Sequence, residues 1–129
     1  MLSTDRPKVL VVEDDSQLAH LYCTALALQG VAPLRVANGL AALRSLERQR
    51  PDLVLLDLML PVIDGHTVLK QFAKNPLISD IPVIVVTAID PVPELPHAVR
   101  VLQKSCDPDH IAEVISTYLS RRVADPNGS

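Results

Sequence analysis

Three short aliphatic runs, each followed by a segment with helical periodicity, restrict the fold of this chain more than any other feature. The runs predict strands at residues 8–12, 53–57 and 82–86. Continuous apolar runs of this length are typical of strands that are buried on both faces of a parallel sheet. Their alternation with helical segments predicts βαβ units, and therefore an α/β fold with helices on both sides of the sheet.

Weaker patterns complete this arrangement. We predict two further strands at residues 33–37 and 98–103, and four helices whose apolar residues recur at helical spacing. Residue types that favour helix ends lie at the expected places. These are Ser16, Asn38 and Asp107 as N-caps, Pro108 at a first helical position, and Gly30 and Asn75 at C-terminal ends.

One helix is missing from the alternation. The segment between the fourth and fifth strands reads AIDPVPELPHA, and its prolines are Pro91, Pro93 and Pro96. Proline removes a backbone donor and clashes with the preceding turn, so a regular helix is excluded here. We predict a short extended or single-turn connection, with the fourth helix of the alternation shortened or absent.

Length and composition restrict the class of protein. A chain of 129 residues forms one domain, which we expect to span residues 1–122, with a disordered tail or the start of a linker at 123–129. A net charge of −3 without a run of Lys and Arg argues against direct nucleic-acid binding. No apolar run is long enough to cross a membrane. Two cysteines without a signal peptide favour the reducing cytoplasm.

Carboxylates follow two of the predicted strands. Asp14 lies between Glu13 and Asp15 after the first strand, and Asp57 ends the third. Neighbouring parallel strands would bring these acids to the same edge of the sheet. Two unit charges about 4 Å apart repel by roughly 4 kcal/mol at an effective dielectric near 20, so the cluster needs a cation. Oxygen ligands of this kind suit Mg²⁺, although an acidic triplet alone is more often a solvated loop than a metal site.

Two more polar residues follow strands at the same edge. Thr87 comes after the fourth strand and Lys104 after the fifth. With Asp57 they supply a carboxylate nucleophile, a hydroxyl donor and a cation, which is a set suited to phosphoryl transfer. Each alone is also compatible with a strand-end hydroxyl or a surface charge, so the prediction depends on the combination.

Three segments, in this order and spacing, resemble the receiver domain of bacterial two-component response regulators. They are VLVVEDDS, PDLVLLDLMLPVIDG at residues 51–65, and IPVIVVTA at 81–88, and the resemblance covers about residues 7–122. It implies a flavodoxin-like, doubly wound sheet of five parallel strands in the order 2-1-3-4-5. It also implies a histidine kinase or phosphotransfer protein as phosphoryl donor, and an output partner that the sequence does not identify.

The resemblance assigns metal ligands. Asp14 and Asp57 would bind Mg²⁺ directly, Glu13 would bind it through water, and the backbone carbonyl of Met59 would be a further ligand. Asp15 is expected to be a solvated neighbour. The resemblance also implies that the chain catalyses only its own phosphorylation and dephosphorylation, and is otherwise not an enzyme.

The resemblance also assigns the phosphoryl chemistry. Asp57 would be the phosphoacceptor, and Thr87 would donate a hydrogen bond to a phosphoryl oxygen, moving inward once that oxygen is present. Lys104 would pair with the phosphoryl group, or with Asp57 before phosphorylation.

The chain departs from the family between Thr87 and Lys104. This interval is shorter than usual, so the dimer that the family forms through its fourth helix, fifth strand and last helix is not a secure expectation. Val101 stands where the family has an aromatic residue, which removes an aromatic switch. In the family a proline follows the lysine, and the peptide bond between them is cis. Here Ser105 follows Lys104, and we predict a trans bond between them, because a cis bond before a non-proline residue costs about 2.5–4 kcal/mol.

Met59 and Ile89 are expected to flank the approach of water to Asp57, and their apolar side chains predict a long-lived phosphorylated state.

An alternative function is a phosphate-independent interaction module that keeps the fold and signals through protein contacts; the altered segment before Lys104 favours it. A nucleotide-binding enzyme is set aside because the chain has no glycine-rich phosphate loop.

Overall fold

The computed structural model describes residues 5–60 and 63–124, with side chains placed for 5–60 and 63–122. The described residues form one sheet of five parallel strands in the order β2-β1-β3-β4-β5. The predicted α/β fold and strand order are therefore confirmed. In chain order the elements are β1 (Lys8–Val12), α1 (Ser16–Leu28), β2 (Ala32–Val36), α2 (Gly39–Arg48), β3 (Leu53–Asp57), α3 (Gly65–Lys74), β4 (Val83–Thr87), β5 (Arg100–Gln103) and α4 (Pro108–Ala124).

The three central strands β1, β3 and β4 are buried on both faces, which explains why they are almost continuously apolar. Successive side chains of a strand point to opposite faces. In β1, Val9 and Val11 belong to a core cluster with residues of α1 and α4, which we call the first face. Leu10 and Val12 belong to a second cluster with residues of α2 and α3, which we call the second face.

The predicted helix ends are mostly confirmed. Asn38 caps α2, Asn75 ends α3, and Gly30 follows α1 with a φ of 81°, which glycine adopts readily. Asp107 precedes Pro108 and accepts the N–H of Asp109 at 2.9 Å, as expected of an N-cap.

The prediction of Ser16 as the N-cap of α1 is wrong. The cap is Asp15, whose carboxylate accepts the backbone N–H groups of Gln17 at 2.9 Å and Leu18 at 3.1 Å. Ser16 is the first helical residue instead. A carboxylate satisfies two unpaired donors here and interacts favourably with the positive end of the helix dipole.

Three strands are offset from their predicted bounds. β2 begins and ends one residue earlier than predicted, at 32–36. β4 covers 83–87 and not 82–86, because Pro82 has no N–H for the ladder and Thr87 still pairs with Gln103. β5 begins at Arg100 and not at 98, because the N–H of Ala98 is used in a turn to the carbonyl of Leu95.

No helix lies between β4 and β5, so the predicted loss of the fourth helix is confirmed for residues 88–99, all of which are described. In its place Leu95 and Ala98 pack against the second face beside Val101. This connection, residues 88–99, is called the proline segment below. It leaves Ile89 43% and Val99 48% exposed.

The last helix continues to Ala124, two residues beyond the predicted domain end at 122. The predicted tail at 123–129 therefore begins inside this helix, and its residues 125–129 lie outside the described residues. Among the described helices, none combines the length and the apolar character that a membrane crossing would need.

Gly65, the first residue of α3, lies close to the backbone at the end of β3. A Cβ at this position would lie 2.5 Å from the Cα of Leu58 and 2.6 Å from the carbonyl oxygen of Asp57. We expect Gly65→Ala to lower the free energy of unfolding by about 1–3 kcal/mol, because backbone must move to admit the methyl group. Urea denaturation measures this, with the exposed neighbour His66→Ala as control. Equal unfolding midpoints for the two variants would contradict the prediction.

Candidate functional site

The carboxyl ends of β1, β3, β4 and β5 meet at one edge of the sheet, and the predicted polar residues lie there. Asp57 ends β3 and is fully buried. Its Oδ2 lies 2.7 Å from the Nζ of Lys104, which follows β5. Its Oδ1 accepts the backbone N–H of Met59 at 3.0 Å. Both oxygens of the candidate phosphoacceptor therefore have hydrogen-bond donors, and one donor is a cation.

Three carboxylates approach one another at this edge. Glu13, Asp14 and Asp57 each offer an oxygen, and these oxygens all lie within 4.8 Å of one another. Glu13 is 1% exposed, whereas the Asp14 side chain is exposed to solvent. The cluster is thus closed on its inner side and open at Asp14.

These residues fit Mg²⁺. The donors are hard carboxylate oxygens, as this ion prefers, and the open side leaves room for waters and a phosphoryl group. The Oε1 atom of Glu13 is buried and accepts no hydrogen bond, and the Nζ of Lys104 lies 3.4 Å from it. The role of the Met59 carbonyl as a ligand stays a prediction.

Burial dominates the electrostatics of Glu13. It raises the pKa of the Glu13 carboxyl from 4.5 to about 7, and the charge of Asp57 acts in the same direction. The N–H of Asp15 and the ammonium of Lys104 oppose this shift. Burial acts to lower the pKa of Lys104, but Asp57 and Glu13 outweigh it and raise that pKa. The ammonium therefore remains charged beside the carboxylates.

Thr87 is buried at the end of β4 and contributes in two ways. Its carbonyl accepts the N–H of Lys104 at 2.7 Å, which fixes the backbone that carries the ammonium. Its Oγ1 accepts the N–H of Ile89 at 3.1 Å. Because side chains alternate along β4, the hydroxyl approaches the site from the second face, opposite to Asp57. Its predicted inward movement toward a phosphoryl group stays a prediction.

Arg35 is a site residue that sequence reasoning missed. From β2, its Nε donates to the carbonyl of Glu13 at 3.1 Å, and its Nη2 donates to the carbonyl of Asp14 at 3.0 Å. The guanidinium thereby clamps the loop that carries two carboxylates. Only the strand register, which pairs Arg35 with Val11, could have revealed this, because no motif distinguishes it from a surface arginine.

The remaining predictions concern one peptide bond and residues beside the site. The peptide bond between Lys104 and Ser105 is trans, as predicted. Met59 is 66% exposed, and Asp15 is exposed and caps α1. Pro61 and Val62 lie outside the described residues.

A doubly wound sheet binds ligands at the carboxyl edge of its strands, and the acidic cluster, the buried aspartate and the lysine of this chain lie at that edge. The chain belongs to the response regulator receiver domain family, whose sequence model matches residues 9–116.

Individual relatives agree with this family. The Escherichia coli transcriptional regulatory protein BaeR is 37% identical over 87 residues, which are 67% of this chain and 35% of that protein. The receiver domain of a signal transduction histidine kinase from Syntrophus aciditrophicus has a TM-score of 0.77 and 28% identity, over 88% of this chain and 90% of that one. The phosphorylated cyanobacterial phytochrome response regulator RcpA has a TM-score of 0.74 and 26% identity, over 88% and 91%.

The raised pKa of Glu13 predicts a pH dependence in the metal-free protein. Between about pH 4.5 and pH 7 the folded carboxyl keeps a proton that the unfolded chain has lost. As pH rises through this window, the free energy of unfolding of wild type should therefore fall relative to that of Glu13→Gln, by on the order of 3 kcal/mol.

Urea denaturation at several pH values in the presence of a chelator measures this difference. The matched control is Glu47→Gln, which makes the same change at an exposed position. Parallel pH profiles for wild type and Glu13→Gln would contradict the prediction.

Proposed function

We propose that this chain is a working receiver domain, in which Asp57 accepts a phosphoryl group from a histidine kinase or a phosphotransfer protein in a Mg²⁺-dependent reaction. The observation that carries the proposal is the 2.7 Å pair between the buried Asp57 and Lys104, set beside the carboxylates of Glu13 and Asp14. Buried charges are retained where they are paired or where chemistry requires them.

Each residue would have a defined part in the transfer. A carboxylate oxygen of Asp57 attacks phosphorus in line with the leaving group, so that an O–P bond forms as the bond to the donor breaks. Lys104 changes its partner from the carboxylate to a phosphoryl oxygen, and the hydroxyl of Thr87 donates to another. Bound Mg²⁺ would supply the positive charge that lets a phosphoryl group approach the carboxylates.

The domain acts within a larger signalling system. The chain spans about a third of the length of the curated relatives it matches, which include transcriptional regulators. We infer that it works either alone as a relay or joined to an output partner, in the cytoplasm, and that it catalyses only its own phosphorylation and dephosphorylation. Direct nucleic-acid binding is not proposed for this domain.

Incubation with acetyl phosphate and Mg²⁺ tests the proposal. We expect intact mass to increase by one phosphoryl group in wild type, and to remain unchanged in Asp57→Asn, because the amide is not a nucleophile. A chelator should abolish the addition. No addition in wild type, also with a phosphorylated kinase as donor, would favour the alternative of a phosphate-independent interaction module.

The side chains that flank the site predict a slow loss of the phosphoryl group. Met59 and Ile89 are apolar, so neither can orient a water for attack on the acyl phosphate. We expect a phosphorylated half-life of minutes or longer, and a several-fold shorter one in Met59→Asn, whose amide can hold water. The decay of intact mass after the donor is removed measures both. Hydrolysis of the wild-type phosphoprotein within seconds would contradict this prediction.

A further inference from the structure

Arg35 connects the edge strand β2 to the loop that carries two of the candidate metal ligands. Its Nε donates to the carbonyl of Glu13 at 3.1 Å, and its Nη2 donates to the carbonyl of Asp14 at 3.0 Å. One planar guanidinium therefore binds two successive carbonyls. This forked geometry is particular to arginine, because a lysine ammonium is a single point charge on a flexible stem.

Other hydrogen bonds hold the same loop at its two ends. The N–H of Glu13 donates to the carbonyl of Val36 in β2 at 3.1 Å. At the other end, Asp15 caps α1, and its N–H donates to Oε2 of Glu13 at 3.1 Å. The carbonyls that Arg35 binds lie between these attachments, so the guanidinium holds the middle of the loop.

The direction of the Asp14 side chain depends on this contact. Glu13 and Asp57 are buried, so packing restricts their carboxylates, whereas the Asp14 side chain is exposed to solvent. The two carbonyls that Arg35 binds belong to the peptide groups on either side of the Cα of Asp14. Because a peptide group is planar, fixing both groups restricts both backbone dihedral angles of Asp14. The guanidinium thereby sets the direction in which this exposed carboxylate leaves the backbone.

The charge of Arg35 and its geometry have opposite effects on metal binding. A cation near three carboxylates reduces their attraction for a second cation, so removal of the charge alone would strengthen metal binding. Loss of the two hydrogen bonds would weaken it, because the loop would then have to be ordered when the ion binds. The sign of the change in affinity therefore shows which effect dominates.

Mg²⁺ and Ca²⁺ differ in how much they depend on ordered ligands. Mg²⁺ is small and requires nearly ideal octahedral geometry, whereas Ca²⁺ accepts more ligands in flexible arrangements. We propose that Arg35 is a positioning residue that makes this site selective for Mg²⁺ over Ca²⁺, by holding the loop of Glu13 and Asp14 in one conformation. The inference rests on the proposed function, because it concerns the ion that would assist phosphoryl transfer.

Two variants separate the geometry of Arg35 from its charge. Arg35→Lys keeps the charge and loses the fork, whereas Arg35→Met loses both and keeps an unbranched side chain. We expect each to lower Mg²⁺ affinity by roughly tenfold, the lower end of what loss of an outer-shell partner costs. Ca²⁺ affinity should fall by a smaller factor, so the ratio of the two affinities should fall in both variants.

Titration with each ion alone, followed through the NMR signals of the backbone amides, measures both affinities without a phosphoryl donor. The matched control is Arg44→Met, which makes the same change at an exposed position of α2. Stronger binding of both ions by Arg35→Met would overturn the proposal, because the charge would then dominate. Equal proportional losses for the two ions, or affinities equal to wild type, would overturn it as well.

Amide hydrogen exchange in a chelator provides a metal-independent readout. In both Arg35 variants the N–H groups of Glu13 and Asp15 should exchange several-fold faster than in wild type, because the loop between them is released. The N–H of Val54, which donates to the carbonyl of Pro82 inside the sheet, should keep its wild-type rate. Exchange that is faster by the same factor at all three positions would overturn the local role, because the whole sheet would then be destabilised.

Failure of this inference is distinguishable from failure of the proposed function. If wild type binds Mg²⁺ and is phosphorylated while the Arg35 variants keep its ratio of Mg²⁺ to Ca²⁺ affinity, only the role of Arg35 is overturned. If wild type binds Mg²⁺ but accepts no phosphoryl group, the proposed function fails, and the affinity ratios still decide the role of Arg35. If wild type binds no Mg²⁺, both fail.

Discussion

One ammonium group pairs with two carboxylates that are buried at the edge of a parallel sheet. Lys104 lies 2.7 Å from Asp57 and 3.4 Å from Glu13, residues that are distant from it in the chain. A buried charge without a partner costs several kcal/mol, so removal of Lys104 would leave both carboxylates uncompensated. Lys104 follows the edge strand β5, whereas Glu13 follows β1 and Asp57 ends β3. The ammonium reaches the carboxylates only when these strands are in place, so the charge balance of the site depends on the assembled sheet.

The features that follow from local pattern could be predicted from the sequence. Continuous apolar runs indicated buried strands, prolines excluded the fourth helix, and polar residues after the strands indicated the site. The features that depend on register and on competition between neighbours could not. Asp15 displaced Ser16 as a cap because a carboxylate satisfies two donors, and Thr87 joined β4 because Gln103 was available as its partner.

A residue that orients the site carries no sequence signal. Arg35 lies in the middle of a weak strand, and its role follows only from the register that places it beside Val11. Pattern alone therefore identifies the residues that do the chemistry more readily than those that orient them.

The proline segment has a consequence for the unfolded chain. A ring at Pro91, Pro93 and Pro96 restricts the backbone before folding begins, so less conformational entropy is lost when the segment is ordered. Each proline in a compatible position contributes roughly 0.4–1 kcal/mol in this way. The proline segment packs Leu95 and Ala98 against the second face. Its prolines help it to keep one backbone conformation without the hydrogen bonds of a helix. Its order comes as much from covalent stiffness as from contacts.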